Sequence, residues 1–169
     1  CEYLVVGTGA GGSVAGTLVA ELGHDVIFME EGSYFPTKSF TNKVGDMTAK
    51  LYRNRGISPL IGKPLVALAE GRCVGGGTVI NGEGLFRTPK KILEEWRLEH
   101  GLEGYSFSEL EKHFETIEKD LNVEATSILK EEKTNLDSHK LIKGASGLNW
   151  RTEFVPRAAK NCNYTNSCS

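Results

Sequence analysis

Residues 3–12 decide the fold class, and they read Tyr3-Leu4-Val5-Val6-Gly7-Thr8-Gly9-Ala10-Gly11-Gly12. A short apolar run leads directly into the pattern Gly-x-Gly-x-x-Gly, and a helical pattern with Val14, Leu18 and Leu22 on one face follows. A second apolar run ends at Glu30, 18 residues after Gly12. The order is therefore strand, glycine turn, helix, strand and acid. This order predicts an α/β fold with a parallel sheet, built on a Rossmann-like βαβ unit that binds a dinucleotide.

Each part of this unit has a distinct task in binding a dinucleotide. Gly7 allows the tight turn after the strand, Gly9 lets the backbone approach a pyrophosphate, and Gly12 lets the helix pack closely on the strand. The N-terminus of the helix that follows presents unpaired N–H groups and the positive end of the helix dipole to the phosphates. A βαβ turn of the same shape without any ligand is the alternative that this segment leaves open.

The acid at the end of the second apolar run indicates which dinucleotide the unit accepts. Glu30 is placed to accept hydrogen bonds from a ribose diol, and a carboxylate there favours a free 2′-hydroxyl over a 2′-phosphate. The segment therefore favours FAD or NAD over NADP. It does not separate FAD from NAD.

A second glycine-dense segment reads Gly71-Arg72-Cys73-Val74-Gly75-Gly76-Gly77-Thr78-Val79-Ile80-Asn81-Gly82. Three successive glycines let the backbone press against a ligand or another backbone, and successive N–H groups in such a loop form a concave anion-binding site. Thr78 and Asn81 add a hydroxyl and an amide nearby. Taken alone, a tight structural crossover explains this segment equally well.

The composition excludes several classes of partner. The chain has 169 residues with 20 Lys and Arg against 22 Asp and Glu, a net charge of −2, so it carries no basic excess for nucleic acid or an anionic membrane surface. No apolar stretch approaches the roughly 20 residues needed to span a bilayer. A hydrophobic content of 39% is ordinary for a globular protein. We expect a soluble protein, with the cytoplasm as the favoured compartment.

The two ends of the chain suggest a fragment. Cys1 already falls inside the pattern of the first strand, so we expect it in a core strand, and residues 161–169 form a polar segment with Cys162 and Cys168. Two cysteines six residues apart leave an iron–sulfur site, a zinc site and a disulfide open, but a four-ligand metal site needs two further ligands, and no metal is predicted. Any export signal would then lie outside the chain.

Periodicity predicts further elements between and after the glycine segments. Leucine stripes on the helices are expected to face the core. A capping box with Ser106 and Glu109 opens one of the helices. The predicted elements are a helix over Asn42–Arg53, a short strand within Lys63–Ala69, a helix from Thr88-Pro89 to Gly101, a helix from Ser106 with Leu110, Phe114, Ile117 and Leu121 on one face, a helix over Ser138–Lys143 and a short strand over Leu148–Phe154.

Taken together, the two glycine segments resemble the glucose–methanol–choline (GMC) oxidoreductase family, flavoenzymes that bind FAD and oxidise alcohols. The family's first unit ends in Glu-x-Gly, matched by Glu30-Glu31-Gly32, and its second motif, Gly-Arg-x-x-Gly-Gly-[Ser/Gly/Thr]-[Ser/Thr]-x-x-Asn, is matched over Gly71–Asn81. Arg87, Trp96 and the helix start Tyr105-Ser106-Phe107-Ser108-Glu109-Leu110 are similar to later family features. The likeness covers residues 3 to about 121, and the ending Arg87-Thr88-Pro89 resembles the branch with cholesterol oxidases and long-chain alcohol oxidases.

The resemblance implies a set of cofactor-binding residues. In the family the second glycine loop lies against the pyrophosphate and the flavin ring of FAD. Some relatives attach the flavin through a histidine just before the asparagine, where this chain has Ile80, which implies non-covalent binding. The candidate cofactor-binding residues are Gly7, Gly9, Ala10, Gly11, Gly12, Glu30, Glu31, Arg72, Gly75, Gly76, Gly77, Thr78, Asn81 and Gly82.

The resemblance also implies a division of the chain and a reaction. Residues 1–121 are expected to be the N-terminal part of an FAD-binding domain, and residues 122–169 the incomplete start of a linking or substrate-domain segment, in a larger two-domain flavoenzyme. The implied reaction moves a hydride from a small-molecule alcohol to the flavin, with oxygen, a quinone or another redox protein as the open choice of electron acceptor.

No catalytic residue is assigned in this chain. In the family a histidine paired with histidine or asparagine acts as the base, far toward the C-terminus, and no residue here matches it. His24, His100, His113 and His139 are scattered on predicted turns or solvated helix faces. A nicotinamide-dependent oxidoreductase or reductase, which needs only the first unit, and a non-catalytic dinucleotide-binding module remain as alternatives.

Overall fold

The computed structural model describes residues 1–124 and 136–159. The chain divides into two compact units, Cys1–Gly82 and Glu83–Tyr164, and each is described by itself. Cys162 and Cys168, for which the sequence leaves a metal site and a disulfide open, lie outside the described residues.

The first unit begins with the predicted βαβ arrangement. Strand β1 (Tyr3–Val6) leads into helix α1 (Ala10–Glu21) and then strand β2 (Val26–Met29), and the strands pair in parallel from Tyr3 opposite Val26 to Val6 opposite Met29. The Rossmann-like α/β class is therefore confirmed. The placement of Cys1 in a core strand is wrong, because β1 starts only at Tyr3 and Cys1 is exposed.

Helix α1 packs on the sheet through its small residues and not through its leucine stripe. A Cβ atom built on Gly16 would lie 2.4 Å from the Phe28 ring and 2.8 Å from a Val5 methyl, and Gly16 is the buried residue of the helix. The expectation that the stripe faces the core is wrong here, since Leu18 and Leu22 are 56% and 78% exposed. The helix lies too close to β1 and β2 for large side chains on the contacting face.

The rest of the first unit consists of short helices and strands before and within the second glycine segment. Helix α2 (Val44–Leu51) lies within the predicted helix, and strands β3 (Ser58–Leu60) and β4 (Val66–Leu68) form an antiparallel pair, of which the sequence predicts the second strand. The short helix α3 (Gly77–Ile80) follows the glycine loop, and 3-10 turns cover Thr37–Ser39 and Arg53–Gly56. Leu51 and Cys73, 5% and 1% exposed, are the buried apolar side chains of this part.

The second unit is mainly helical, with helices α4 (Lys90–His100), α5 (Phe107–Asp120) and α6 (Leu136–Gly147) and the short antiparallel strands β5 (Val123–Glu124) and β6 (Arg157–Ala158). Helix α4 ends at Gly101 in a left-handed conformation with φ of 64°, as its sequence predicts. The capping box is confirmed: the Glu109 amide donates to the Ser106 hydroxyl, and the Ser106 amide donates to the Glu109 carboxylate.

The predicted strand over Leu148–Phe154 is wrong. The amides of Leu148 and Trp150 donate to carbonyls in the last turns of α6, Leu148 to Gly144 and Trp150 to Ala145. Asn149 has a φ of 55°, which breaks an extended backbone. The pairing occurs further along, at β6. No helix in the described parts of the chain is both long and apolar enough to cross a bilayer.

Candidate functional site

The first glycine loop connects β1 to α1 through backbone that only glycine adopts easily. Gly7 has a φ of 93°, and its amide donates to the Met29 carbonyl at 2.7 Å, which extends the parallel pairing into the turn. A Cβ on Gly12 would lie 2.1 Å from the Gly7 carbonyl oxygen, so Gly12 is needed for the close fit of helix and loop. Helix α1 starts at Ala10 without a side-chain cap, and the first amides of a helix have no intrahelical acceptor.

The second glycine loop is held against the end of β2. Cys73 pairs with Ser33 in an isolated parallel bridge, and the Val74 amide donates to the Ser33 carbonyl at 3.1 Å. A Cβ on Gly32 would lie 2.3 Å from the Cys73 amide nitrogen, so the glycine that ends Glu30-Glu31-Gly32 makes room for this backbone. The loop also closes on itself, because a Cβ on Gly71 would lie 2.3 Å from the Gly76 carbonyl oxygen.

The two glycine loops meet. The Gly75 amide donates to the Thr8 hydroxyl oxygen at 3.0 Å, and a Cβ on Gly76 would lie 3.1 Å from the Gly9 α-carbon. By contrast, apart from the neighbouring residues in the chain and the backbone of the same helix, no described atom lies within 4 Å of a Cβ built on Gly7, Gly9 or Gly77. The backbone therefore leaves open space at these three glycines, which is the condition for a ligand to approach it.

A cavity of about 730 Å³ lies at this meeting point, within the usual size range of small-molecule sites. It is lined by six of the residues that the sequence singles out, which are Gly7, Gly9, Glu30, Glu31, Gly76 and Gly77. The other candidates do not line it, namely Ala10, Gly11, Gly12, Arg72, Gly75, Thr78, Asn81 and Gly82. Six lining residues are not among those candidates, and they are Val6, Met29, Arg53, Ala69, Glu70 and Gly71.

Glu30 is held in place by the first loop and by its own turn. One carboxylate oxygen, Oε2, accepts from the Thr8 amide at 2.9 Å and the Thr8 hydroxyl at 2.7 Å, and Oε1 accepts from the Gly32 amide at 2.8 Å. The hydrogen bond from the Thr8 hydroxyl, followed by those from the Gly32 and Thr8 amides, lowers the pKa of Glu30. Since a carboxylate offers about four acceptor positions, at most one remains for a ribose hydroxyl.

Glu31 and Arg72, both candidate cofactor ligands, are joined in a network of charges. The Glu31 carboxylate pairs with the Arg53 guanidinium and, at 3.3 Å, with Arg72 Nε. Arg53 Nε lies 3.7 Å from a Glu70 oxygen, so this arginine links two carboxylates at the cavity rim. The hydrogen bond from Arg53 lowers the pKa of Glu31 and raises that of the arginine.

Thr78 and the residues after it lie on or just past α3. The Thr78 hydroxyl donates to the Gly75 carbonyl at 2.6 Å, which stabilises the glycine loop from within. Asn81 ends the short helix in an extended conformation, and the Ile80 carbonyl accepts a long hydrogen bond of 3.4 Å from the Tyr52 hydroxyl.

Groups suited to acid–base or metal chemistry are scattered in the described parts. His24, His100 and His113 are exposed and His139 is half-buried, with no cluster of three or more possible metal ligands among the described residues. Cys73 is buried, and that burial is the main cause that raises the pKa of its thiol. None of the described histidines lines the cavity, so the described residues place no imidazole there to accept a proton.

Comparisons with known proteins identify relatives of this sequence. The family model described as GMC oxidoreductase matches residues 1–169. An uncharacterised GMC-type oxidoreductase of Sinorhizobium fredii is 31% identical over 168 residues, which are 99% of this chain and 32% of that protein. A long-chain-alcohol oxidase of Arabidopsis thaliana is 34% identical over an alignment of 171 positions, which covers 99% of this chain and 22% of that protein. The solved structure of pyridoxine 4-oxidase from Mesorbium loti aligns with 65% of this chain and 23% of that one, at 20% identity and a TM-score of 0.47.

The chain spans about a third or less of the length of these curated relatives. It therefore corresponds to a part of such proteins.

Proposed function

Because the chain belongs to the GMC oxidoreductase family, in its N-terminal portion, we propose that it forms the FAD-binding part of an enzyme that oxidises an alcohol CH–OH group. The observation that carries the proposal is the meeting of the two glycine loops around one cavity, with Glu30 on its wall. A nicotinamide-dependent enzyme needs the first loop but has no use for the second.

The residues present fit the adenosine diphosphate part of FAD. Open space at Gly7 and Gly9 admits a pyrophosphate to the backbone, and the first amides of α1 supply donors and the positive end of a helix dipole. Glu30 can accept from at most one ribose hydroxyl beside its three bonds to Thr8 and Gly32, and its charge disfavours a 2′-phosphate. Gly76 and Gly77 line the same cavity from the second loop.

The network at the rim has a supporting role in this proposal. Arg53 and Arg72 together offset the charges of Glu31 and Glu70, so that the negative charge left unbalanced in this group is that of Glu30. This matters because two unpaired carboxylates would repel the pyrophosphate that has to lie nearby. The assignment of Glu31 and Arg72 as direct ligands is therefore replaced in our proposal by an indirect, electrostatic one.

Bound FAD would supply the hydride acceptor for alcohol oxidation, and this chain's residues would bind and orient it. Ile80 stands where a flavin-linking histidine occurs in some relatives, so we propose non-covalent binding. We further propose residues 1–121 as the FAD-binding domain's N-terminal part and residues 122–169 as the start of the next segment. The proton acceptor and the electron acceptor are not assigned to this chain.

The test uses the purified full-length protein. We expect flavin absorption bands, release of the flavin into the supernatant on acid precipitation, and bleaching of the bands under anaerobic conditions by an alcohol. Long-chain primary alcohols are the first substrates to try, since one relative is named a long-chain-alcohol oxidase. Colourless protein that binds NAD would support the nicotinamide alternative, and flavin that no alcohol reduces would support a non-catalytic module.

A further inference from the structure

Thr8 occupies an unspecified position of the Gly7-x-Gly9 pattern, yet it makes four hydrogen bonds with three segments. Its amide and hydroxyl both donate to Glu30 Oε2, at 2.9 Å and 2.7 Å. Its hydroxyl oxygen accepts from the Gly75 amide at 3.0 Å, and its carbonyl accepts from the Ser13 hydroxyl at 2.7 Å. The side chain thus touches both the acid and the second glycine loop.

We infer that Thr8 is a positioning residue for FAD, whose hydroxyl orients Glu30 toward the ribose and fixes the second glycine loop against the first. The inference rests on the proposed function. The Glu30 carboxylate can only accept, so the Thr8 hydroxyl proton must point to Oε2, and the lone pairs on the hydroxyl oxygen are then available to the Gly75 amide. A side chain without a hydroxyl can do neither.

The hydroxyl acts on two structures that a dinucleotide has to touch at the same time. Glu30 and Gly76 both line the cavity. Gly76 is the residue after Gly75, whose amide donates to the Thr8 hydroxyl. A chain of hydrogen bonds from an amide through a hydroxyl to a carboxylate is mutually polarised, which strengthens each bond. Removal of the hydroxyl should therefore loosen the acid and the loop together.

The pH dependence of FAD binding gives a readout specific to this role. The hydrogen bond from Thr8 is the largest cause of the lowered pKa of Glu30. The other titratable and charged groups near this carboxylate are Arg53, Cys73, Glu31 and Glu70, and replacement of Thr8 leaves all four in place. Without the hydroxyl, the pKa of Glu30 should rise toward its ordinary value, and binding should be lost at a higher pH.

The test compares Thr8→Val, which is isosteric and has no hydroxyl, with Thr8→Ser, which keeps it, in full-length apo-protein. FAD affinity is measured by quenching of flavin fluorescence from pH 3 to 8, so that the range extends below the ordinary carboxyl pKa of 4.5. We expect Thr8→Val to weaken binding at pH 7 by about tenfold to a hundredfold, as for a lost hydrogen bond to a charged group, and to move the acidic loss of binding upward. Thr8→Ser should restore both properties.

Two further variants keep the result interpretable. Ser13→Ala removes a hydroxyl from the first turn of α1 that donates to the Thr8 carbonyl and not to Glu30, so it should leave the pH of the acidic loss unchanged. In a Glu30→Gln background, Thr8→Val should cost less affinity than in the wild type, because the part of the effect that passes through the Glu30 carboxylate is already removed, while the bond to the Gly75 amide is lost in both backgrounds. If Thr8→Val does not fold, Thr8→Ala takes its place in the same comparisons.

The outcomes separate this inference from the proposed function. Wild-type protein that does not bind FAD would refute the proposed function itself. If the wild-type protein binds FAD, three results would overturn only the role of Thr8. They are an unchanged affinity in Thr8→Val, a failure of Thr8→Ser to restore binding, and the same pH shift in Ser13→Ala.

Discussion

Gly32 and Cys73 approach so closely that a Cβ atom built on the glycine would lie 2.3 Å from the cysteine amide nitrogen and 2.5 Å from its α-carbon. This contact joins the end of β2 to the second glycine loop, next to the bridge between Ser33 and Cys73. The requirement for glycine at position 32 is therefore one of space between two backbones.

We expect Gly32→Ala to destabilise the protein by about 2 kcal/mol or more, because the methyl group overlaps backbone atoms that cannot move independently. Urea denaturation of the two proteins measures the difference. Gly45→Ala is the matched control, because Gly45 lies in α2 with open space around the position of a Cβ. Alanine there should leave the free energy of unfolding unchanged or raise it by up to about 1 kcal/mol. Equal stabilities for the two variants would show that the contact is not as close as the structure has it.

Gly9→Val should separate binding from folding. The backbone at Gly9, with φ of −69° and ψ of −176°, accepts a side chain, and no described atom beyond its chain neighbours lies within 4 Å of its Cβ. The variant should therefore unfold at nearly the wild-type temperature. Its side chain would occupy the space proposed for the pyrophosphate, and we expect FAD affinity to fall at least about a hundredfold.

Calorimetry for the melting temperature and fluorescence titration for FAD measure the two properties of this variant. Gly144→Ala in α6, which also has open space at its Cβ, should change neither by much. A Gly9→Val protein that binds FAD normally would exclude the first loop from the site.

The stability contributed by Glu30 should depend on pH in a defined direction. Its pKa in the folded protein is lowered from an ordinary value of 4.5 by donors from Thr8 and Gly32. A carboxyl with a lowered folded-state pKa stabilises the fold above its unfolded pKa, and that stabilisation is lost as the pH falls through the folded-state value. Wild-type protein should therefore be more stable than Glu30→Gln near pH 7, by the order of 1 kcal/mol, since glutamine keeps an acceptor but no charge.

The measurement for Glu30 is urea denaturation of both proteins from pH 3 to 7. The difference in unfolding free energy should be constant down to about pH 4.5 and shrink below it. Glu21→Gln, which alters an exposed carboxylate at the end of α1, serves as the control for a general effect of charge. A difference that grows as the pH falls would contradict the arrangement at Glu30.

Ser106→Ala should destabilise the second unit by about 1 kcal/mol, because it removes the side-chain acceptor at the start of α5. Ser106→Thr keeps a capping hydroxyl and should cost much less. Thermal unfolding followed by far-ultraviolet circular dichroism measures both. Because Ser106 does not line the cavity, FAD affinity should be the same in both variants, and a large loss of affinity would contradict the placement of the site among the residues that line it.

The parts of the fold that sequence predicts well are those fixed by local rules. The βαβ unit follows from two apolar runs on either side of a glycine turn, and the start of α5 follows from the spacing of Ser106 and Glu109. These features depend on residues a few positions apart, where backbone geometry leaves little choice. The meeting of the glycine loops is expected from a family resemblance and not from local pattern.

The burial of α1 shows where periodicity stops being informative. A stripe with Leu18 and Leu22 shows that these side chains share a face, but it does not show which face meets the sheet. The contact with the sheet is made through Gly12 and Gly16. Gly16 lies against the Phe28 ring, although the two residues are 12 positions apart in sequence. A row of glycines in a helix, spaced by four, is the available signal.

The residues at the site that sequence does not single out are those that act across long sequence separations. Arg53 reaches Glu31 over 22 positions, and charge composition alone does not pair them. Thr8 gives no signal by itself because the glycine pattern allows any residue there, although a hydroxyl between two functional glycines becomes informative once the second loop is known to lie beside it.

The hydrogen bond between Gly75 and Thr8 has a consequence for how the protein folds. It joins residues 67 positions apart, so a long stretch of chain must be closed before the bond can form, at an entropic cost that local helices do not carry. Closure of this kind slows folding, and we expect the nucleotide pocket to be complete only late in the process. A dinucleotide that binds both loops would then bind the native chain far better than any partly folded one, and its supply during synthesis would raise the yield of native protein.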